Sequence, residues 1–364
     1  MNPHLRIGFM PLVDCAPFVV AQEKGFFHTH GLEVSLHKAQ SWSQVLERLV
    51  RGDLEAAHML LTMPLKWAAD ARAGEALAYA FATSGHGHTV VVSNAFWRAG
   101  GRDAAGLAAV LRTRAEAGMA PMRMAVVFPH STHEYMGRLW LERAGVRDGH
   151  EVTWSYVSPP HMVHALREGN IDGFIAGEPW GQRATLSKLG YIVTSSRDIL
   201  PPLNDKVLGV RARWHQAHPD VHAALLRALW DASAWLATPA HLDEAAVLVA
   251  GKRYVNTTPA CVHAALEQEL HAGGHRTLRP KGFLQFAGDG ACYPDPNHAR
   301  FYLERMWRAG HVTGEDVQAL DLQAVCLESF YRDVLAQSGL STAGRLPEHP
   351  GESYAAFLQR FPSP

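Results

Sequence analysis

RIGFMPLVDCAPFVVAQEKGFF, at residues 6–27, consists of a short apolar run, a break at Pro11, a polar turn and a helical segment that ends at Lys24-Gly25. Apolar runs that alternate with helical segments are typical of α/β proteins. The same order returns further along the chain, where MRMAVVFP at 122–129 has the pattern of a strand and THEYMGRLWLERAG at 132–145 that of a helix. The sequence therefore predicts an α/β fold built from strand–helix units.

The two stretches belong to an internal repeat. Met10-Pro11 corresponds to Phe128-Pro129 at an offset of 118 residues, and RGDLEAAHML at 51–60 corresponds to EGNIDGFIAG at 168–177 at an offset of 117. A repeat longer than the roughly 20–50 residues of a solenoid unit predicts two similar lobes. Each lobe is expected to hold a mostly parallel sheet with flanking helices, and the cleft between the lobes is the expected ligand site.

Domain boundaries follow from two extended apolar stretches, 89–95 and 206–214, where the chain is expected to cross between the lobes. Beyond residue 215 the pattern becomes helical, and the repeated Pro and Gly of the last ~20 residues predict a loose tail. We expect four segments, which are the first lobe at 1–92, the second lobe at 93–208, the return to the first lobe with a helical region at 209–340, and the tail at 341–364.

Composition narrows the class of function. The 364 residues carry a net charge of −1, which argues against a dedicated nucleic-acid surface. Polar residues interrupt every apolar run well short of the ~18 residues of a membrane span. The first five residues, MNPHL, lack the ~7–15-residue apolar stretch of a signal peptide, so we expect a cytoplasmic location. Reduced structural thiols are expected for the four separated cysteines, Cys15, Cys261, Cys292 and Cys326.

Helix starts at the cleft are candidate anion sites, because they present free N–H groups and a partial positive charge. Asp14 is expected to cap the helix after the first strand, and Ser131 or Thr132 the equivalent helix of the second repeat. Gly177 follows a buried strand, so its backbone can approach a ligand without a side chain in the way.

Charged and aromatic side chains supply further candidates. Lys206 lies at the predicted second crossover, although a lysine there is more often a solvated surface residue. His133 opens a helix, and His86 and His88 lie in the turn SGHGHT. Trp180 follows Pro179 at the cleft, whereas the other tryptophans are spaced as core residues.

The 22 histidines raise the question of metal binding. Close pairs occur, but no H-E-x-x-H or Cys/His quartet is present, so we expect no metal site. No G-x-S-x-G and no glycine-rich nucleotide loop is present either. We therefore expect a protein that is not an enzyme and holds no cofactor.

The motifs resemble those of the nitrate- and bicarbonate-binding proteins of ABC importers, and still more those of their cytoplasmic relative, the nitrate/nitrite sensor of assimilation operons. GEPW and FPxxTH together are the specific part of the resemblance. It covers most of residues 6–312 and is carried by IGFMPLVDCAPFVVAQEKGFF, AAHMLLTMPL, VFPHSTHEYMGRLWL, PPHMVHALREGNIDGFIAGEPW, KVLGVRARW and GDGACYPDPNHARFYLERMWRAGHV.

The resemblance implies a type II periplasmic-binding-protein fold with the anion between the lobes. It implies that Lys206 supplies the positive charge, that Gly177 offers a backbone N–H and that His133 lines the site. His86 stands where the binders have a glutamine, and Met59 where they have a tryptophan, which leaves the choice of anion open. Bicarbonate carries a proton and needs an acceptor, for which Glu178 is the candidate.

The expected function is that of a cytoplasmic sensor that binds nitrate or nitrite without contacting nucleic acid itself or spanning a membrane. By resemblance, its partner is an RNA-binding antitermination response regulator, released when the lobes close around the anion. Docking is expected on the helical region after 215. The alternatives are an exported importer component with an upstream start and a binder of a sulfonate or organic acid. An enzyme of the thiamine-pyrimidine synthase type is disfavoured, because that family has a cysteine-rich run.

Overall fold

The computed structural model describes residues 3–70 and 74–361 and confirms the α/β fold. The strands are β1 His4–Phe9, β2 Glu33–Lys38, β3 Ala56–Leu60, β4 Leu77–His86, β5 His88–Ser93, β6 Met122–Val126, β7 Val152–Tyr156, β8 Gly173–Gly177, β9 Gly190–Ser195, β10 Asn204–Arg211, β11 Leu270–Gly273, β12 Arg276–Leu278 and β13 Leu284–Gln285.

The helices of the first 211 residues flank these strands. They are α1 Ala16–Glu23, α2 Phe26–Thr29, α3 Trp42–Arg51, α4 Thr62–Ala69, α5 Asn94–Ala99, α6 Ala104–Glu116, α7 Thr132–Arg143, α8 Met162–Arg167, α9 Trp180–Leu186 and α10 Ser196–Ile199. The remaining helices are α11 Ala212–Ala217, α12 Pro219–Leu236, α13 Leu242–Ala250, α14 Pro259–Leu266, α15 Pro296–Arg308, α16 Gly314–Ala319, α17 Leu322–Val325, α18 Glu328–Ser338 and α19 Tyr354–Leu358.

Two sheets form the cores of two lobes. The first has the strand order β13-β4-β10-β3-β1-β2, and the second has the order β7-β6-β8-β5-β9. Only β1, β2 and β3 of the first sheet and β6, β7 and β8 of the second pair in parallel. The sheets are therefore mixed and not mostly parallel, because β4, β5, β9, β10 and β13 join their neighbours without a βαβ crossover and pair antiparallel.

The chain crosses between the sheets a few residues earlier than predicted. The first crossing lies at Gly87, so all of β5 belongs to the second sheet. The second spans 196–203, and β10 then completes the first sheet. Gly87 has φ +91°, and a Cβ there would lie 2.8 Å from a methyl of Leu284, so this crossing requires glycine.

The region after β10 is helical, as predicted. α12 packs against α1 and α2, while α15 contacts both α4 of the first lobe and α7 of the second. Among residues 3–70 and 74–361, every helix is too short or too polar to cross a bilayer. All four cysteines are buried free thiols.

The expected loose tail is wrong for residues 341–361, which are docked on the body. Phe357 of α19 is fully buried, and Phe361 stacks on Phe301 with ring centroids 4.7 Å apart. Tyr354 donates a hydrogen bond to Glu304 at 2.6 Å. The aromatic residues between the Pro and Gly residues bury enough apolar surface to hold the segment down. Residues 362–364 lie outside the described part of the chain.

Candidate functional site

A buried ammonium group lies at the cleft. The Nζ atom of Lys206, on β10, lies 3.0 Å from Oδ2 of Asp14 and contacts Oδ2 of Asp205, and all three side chains are almost completely buried. Together with three neighbouring histidines they form what we call the Lys206 cluster, made up of Asp14, His58, His88, His133, Asp205 and Lys206.

Local structure explains why consecutive residues of β10 converge. Successive side chains of a regular strand point to opposite faces. The pairing of β10 with β4 is irregular from Asn204 to Gly209, and this irregularity lets Asp205 and Lys206 meet. Asp14 comes from the single 3₁₀ turn Val13–Cys15 that follows β1. The side chain of Asp14 makes no cap hydrogen bond, so the predicted helix cap is wrong and its carboxylate faces Lys206 instead.

The second lobe contributes two histidines whose rings are in close contact. The rings of His88, on β5, and His133, in the first turn of α7, have centroids 3.8 Å apart. Nε2 of His88 lies 2.6 Å from Oδ2 of Asp205, and the Thr132 hydroxyl donates to the other oxygen of the same carboxylate. Ser131 caps α7 by accepting from the Glu134 N–H, as predicted. The cluster therefore lies between the lobes and is held by residues of both.

Lys206 is an ammonium whose charge is already compensated. Burial alone would lower the pKa of Lys206, but Asp14 and Asp205 outweigh burial and raise it. Burial alone would likewise raise the pKa of Asp205, but His88 and Lys206 hold it well below its usual range. One cation thus faces two carboxylates.

His58 and His133 add no positive charge to the cluster. Burial lowers the pKa of His58 to about 4, despite the opposing effect of Asp14. Burial, reinforced by His88 and Lys206, lowers the pKa of His133 well below its usual range. The carboxylates of Asp14 and Asp205 and the ammonium of Lys206 together sum to one net negative charge.

Several buried polar atoms near the cluster have no hydrogen-bond partner among the described residues. They include Nε1 of Trp42, both ring nitrogens of His58, Oγ of Ser84 and Nε2 of His133. The Trp42 ring lies 5.8 Å from the Lys206 ammonium, and Ser84 pairs with Lys206 across β4 and β10. Buried polar groups are normally satisfied, so this concentration is what a site for a small polar ligand would show.

Gly177 lies beside the cluster, as predicted. It ends β8, and a Cβ on it would lie 3.4 Å from Oδ2 of Asp14. Lys206 and His133 are also brought together in the cleft. Trp42 and His58 were missed, because only the fold brings α3 and β3 against β10.

The structure places His88, not His86, next to Lys206. Nζ of Lys206 lies 3.4 Å from Nε2 of His88. His86 has φ +57°, and its ring accepts a hydrogen bond from the Leu203 N–H at 3.2 Å. Burial, followed by the charge of Arg197, lowers the pKa of His86 to about 3. The two histidines flank the crossing at Gly87, where strand alternation is interrupted and cannot tell which ring faces the cleft.

Met59 does not bring its side chain to the site. It pairs with Val207, and a Cβ at Gly209 would collide with its sulfur, so it lies on the face of the sheet opposite Lys206. Its neighbour His58 pairs with Leu208 and lies on the Lys206 face. Nε2 of His58 is 3.3 Å from Oδ1 of Asp14, without the alignment of a hydrogen bond.

Glu178 and Trp180 are engaged elsewhere. The Glu178 carboxyl accepts from the Thr89 hydroxyl at 2.8 Å and the Gln182 N–H at 2.9 Å. Burial raises the pKa of Glu178 to about 7. The ring of Trp180 lies under the Arg183 guanidinium at 4.8 Å. Glu178 is thus not the free acceptor expected for bicarbonate.

Within the described residues, one group of side chains could converge on a metal ion. It consists of His88, His133 and Asp205, whose possible ligand atoms lie within 4.8 Å of one another. The Lys206 ammonium contacts the same Asp205 oxygen and lies 3.4 Å from Nε2 of His88. Like charges at this separation repel strongly in a buried site, so the geometry disfavours a divalent cation.

Comparisons with known proteins agree with this geometry. A family model described as the NMT1-like family matches residues 2–250. The bicarbonate transport ATP-binding protein CmpC of Synechococcus elongatus is 31% identical over 343 residues, which are 93% of this chain and 50% of that protein. The chain thus spans about half the length of this relative. The nitrate/nitrite binding protein NrtA of the same organism is 28% identical over 359 residues, covering 95% of this chain and 79% of NrtA.

A solved structure has the same fold. The periplasmic nitrate-binding protein NrtA from Synechocystis superimposes with a TM-score of 0.89 at 22% identity, over 99% of this chain and 98% of that chain. These matches confirm the predicted resemblance to nitrate- and bicarbonate-binding proteins and the two-lobed fold. The relatives bind or transport anions, in agreement with the prediction of a protein that is not an enzyme.

Proposed function

Because the chain belongs to the NMT1-like family, we propose that it binds a small monovalent oxyanion, nitrate or nitrite, between its two lobes. The observation that carries this proposal is the buried Lys206 ammonium surrounded by polar atoms that lack partners. A planar oxyanion accepts hydrogen bonds at every oxygen, and the Trp42 N–H, the Ser84 hydroxyl and an N–H of His133 are available donors.

Isothermal titration calorimetry with nitrate, nitrite, bicarbonate and sulfate tests this proposal. We expect nitrate or nitrite to bind, and Lys206→Met to abolish binding. The matched control is Lys281→Met, which removes an exposed lysine outside the cluster and leaves affinity unchanged. Circular dichroism checks that Lys206→Met folds, and Lys206→Arg, which keeps the charge, provides a second variant. Absence of binding by all four anions contradicts the proposal.

Bicarbonate is the second candidate ligand. Its proton needs a buried acceptor, and Oδ1 of Asp14 is a buried oxygen without a hydrogen-bond partner. Part of the CmpC transport protein matches this chain, which also favours this ligand. Asp14→Asn should weaken bicarbonate binding more than nitrate binding, because only bicarbonate donates to this oxygen. Equal effects on both anions would argue against bicarbonate.

We further propose that the chain is a cytoplasmic sensor whose partner is an RNA-binding antitermination regulator. The support is the motif resemblance, above all FPxxTH and GEPW. α15 contacts helices of both lobes, so closure around an anion would change the surface presented by the helical region after residue 215. That region is the proposed docking surface.

A role in an importer is the competing interpretation, and the matched transport proteins favour it. Two measurements separate the roles. Fractionation of cells that express the native gene should place a sensor in the cytoplasm and an importer component outside it or at the membrane. Co-purification of the regulator without nitrate, and its release by nitrate, supports the sensor. Regulator binding that is indifferent to nitrate contradicts it.

A further inference from the structure

We propose that the cleft takes up its monovalent anion together with one proton, which the adjacent imidazoles of His88 and His133 hold. This inference rests on the proposed anion-binding function. It concerns how the site reaches electrical balance, and it predicts a dependence of affinity on pH.

The charges of the cluster require an extra proton when an anion enters. The ammonium of Lys206 is flanked by Asp14 at 3.0 Å and by Asp205 in direct contact. Two carboxylates and one ammonium leave one net negative charge, and an anion would bring it to two. A buried site of this size cannot hold two uncompensated negative charges, since water is excluded from it. One additional proton restores the charge that the site had before the anion entered.

His88 and His133 are placed to receive that proton. His88 lies 2.6 Å from Asp205, whose carboxylate stabilises an imidazolium. His133 is fully buried, its Nδ1 lies 3.4 Å from the Thr132 hydroxyl, and its Nε2 has no partner. A protonated ring would donate from Nε2 to an anion. With ring centroids 3.8 Å apart, the two imidazoles repel each other when both are charged, so the pair accepts one proton.

The other titratable groups that face the pair are engaged or neutral. His86 accepts from the Leu203 N–H, and Glu178 accepts from Thr89 and Gln182. The ring of His58 lies between those of Phe18 and Trp42, tilted to both, beside Asp14. Tyr302, on α15 near Asp205, is kept neutral by burial, which raises its pKa well above the usual range. The remaining charged groups facing the pair are Asp14, Asp205 and Lys206.

Proton counting by calorimetry tests the proposal. Nitrate is titrated in Tris and in Bicine, which differ in ionisation enthalpy and carry no sulfonate, with a chelator present to exclude metal effects. At about pH 7.5 we expect uptake of about one proton per nitrate, and a loss of affinity of about tenfold per pH unit above that value.

Three variants identify where the proton is held. His88→Asn and His133→Asn replace each imidazole by a neutral amide, and the variant that removes the proton-holding ring should abolish uptake and the pH slope. Asp205→Asn removes one negative charge, and its amide can donate to the Thr132 hydroxyl while its oxygen faces Lys206. This variant should bind nitrate without proton uptake and more tightly than the native protein at about pH 8.5. His164→Asn, at an exposed position of α8, is the control and should change nothing.

The outcomes separate this inference from the proposed function. Nitrate binding without proton uptake overturns the inference and leaves the anion-binding function standing. Proton uptake that persists in the double variant His88→Asn/His133→Asn also overturns it, because the proton is then held elsewhere. Absence of binding by any anion, at acidic as well as alkaline pH, overturns both.

Discussion

Lys206 and Glu178 are both buried and ionisable, but their surroundings favour the charged form of Lys206 and the neutral form of Glu178. Two carboxylates compensate the Lys206 ammonium and raise its pKa. Glu178 is surrounded by the neutral donors of Thr89 and Gln182, so burial dominates and raises its pKa to about 7. A carboxyl with a raised pKa in the folded state favours folding at low pH. That contribution is complete below the unfolded pKa of 4.5 and is lost as the pH rises through about 7.

Glu178→Gln should therefore stabilise the protein above pH 7 and have little effect near pH 5. The amide oxygen can accept from the Gln182 N–H while the amide nitrogen donates to the Thr89 hydroxyl. The substitution also removes the cost of ionising a buried carboxyl, which is at most about 3 kcal/mol. Urea unfolding at both pH values measures the difference. A variant that is equally stable or destabilised at both contradicts the assignment of a neutral Glu178.

At the scale of single elements, the first turn of α7 positions the second lobe's part of the site. Ser131 caps the helix, Thr132 donates a hydrogen bond to Asp205, and the ring of His133 contacts that of His88. Three consecutive residues thus begin the helix and hold Asp205 and His88 in position at the site. At the other end of the chain, Phe357 is the buried aromatic residue of α19.

Ser131→Ala should lower the free energy of unfolding by about 1 kcal/mol and also weaken nitrate binding, because the turn that carries His133 loses its cap. Ser353→Ala removes the equivalent cap of α19, which carries no cluster residue. This control should show a similar or smaller loss of stability with unchanged affinity. Loss of affinity in both variants would contradict a local effect of α7.

Phe357→Ala should lower the free energy of unfolding by about 3 kcal/mol, because it leaves a cavity among His298, Tyr354 and Phe361. Its neighbour Leu358 is 37% exposed, and Leu358→Ala should cost less than about 1 kcal/mol. Chemical denaturation gives both values. Equal, small effects would show that the segment contributes little to the fold.

At the scale of the whole molecule, buried histidines are distributed over the fold. The pKa of His58 is lowered to about 4, and those of His86 and His222 to about 3, each chiefly by burial. A depressed folded pKa contributes stability above the unfolded value of 6.5, and that stability is lost as the pH falls. Glu178 opposes this loss of stability, but it accounts for one proton, whereas the three histidines account for three.

Stability should therefore fall between pH 6.5 and about 4.5, by up to about 3 kcal/mol per pH unit once these histidines are protonated in the unfolded state. Urea unfolding at about pH 7, 6 and 5, with an unchanged m-value, measures this slope. The variant His222→Phe fills the site beside Phe330 with an apolar ring and should reduce the slope by about one proton. A flat profile would mean that these histidines are already charged in the folded protein.

The sequence by itself determined the α/β class, the two lobes, the cap at Ser131 and the presence of Lys206, Gly177 and His133 at the cleft. These depend on periodicity, on an internal repeat and on short motifs, all of which are local along the chain. Only the tertiary structure decided that Asp14 and Asp205 compensate the charge of Lys206. It also decided that the side chains of His88 and His58 reach the Lys206 cluster, where the sequence had predicted His86 and Met59. These outcomes depend on strand register and on the irregularity of β10, because a shift of one residue moves a side chain to the other face of a sheet.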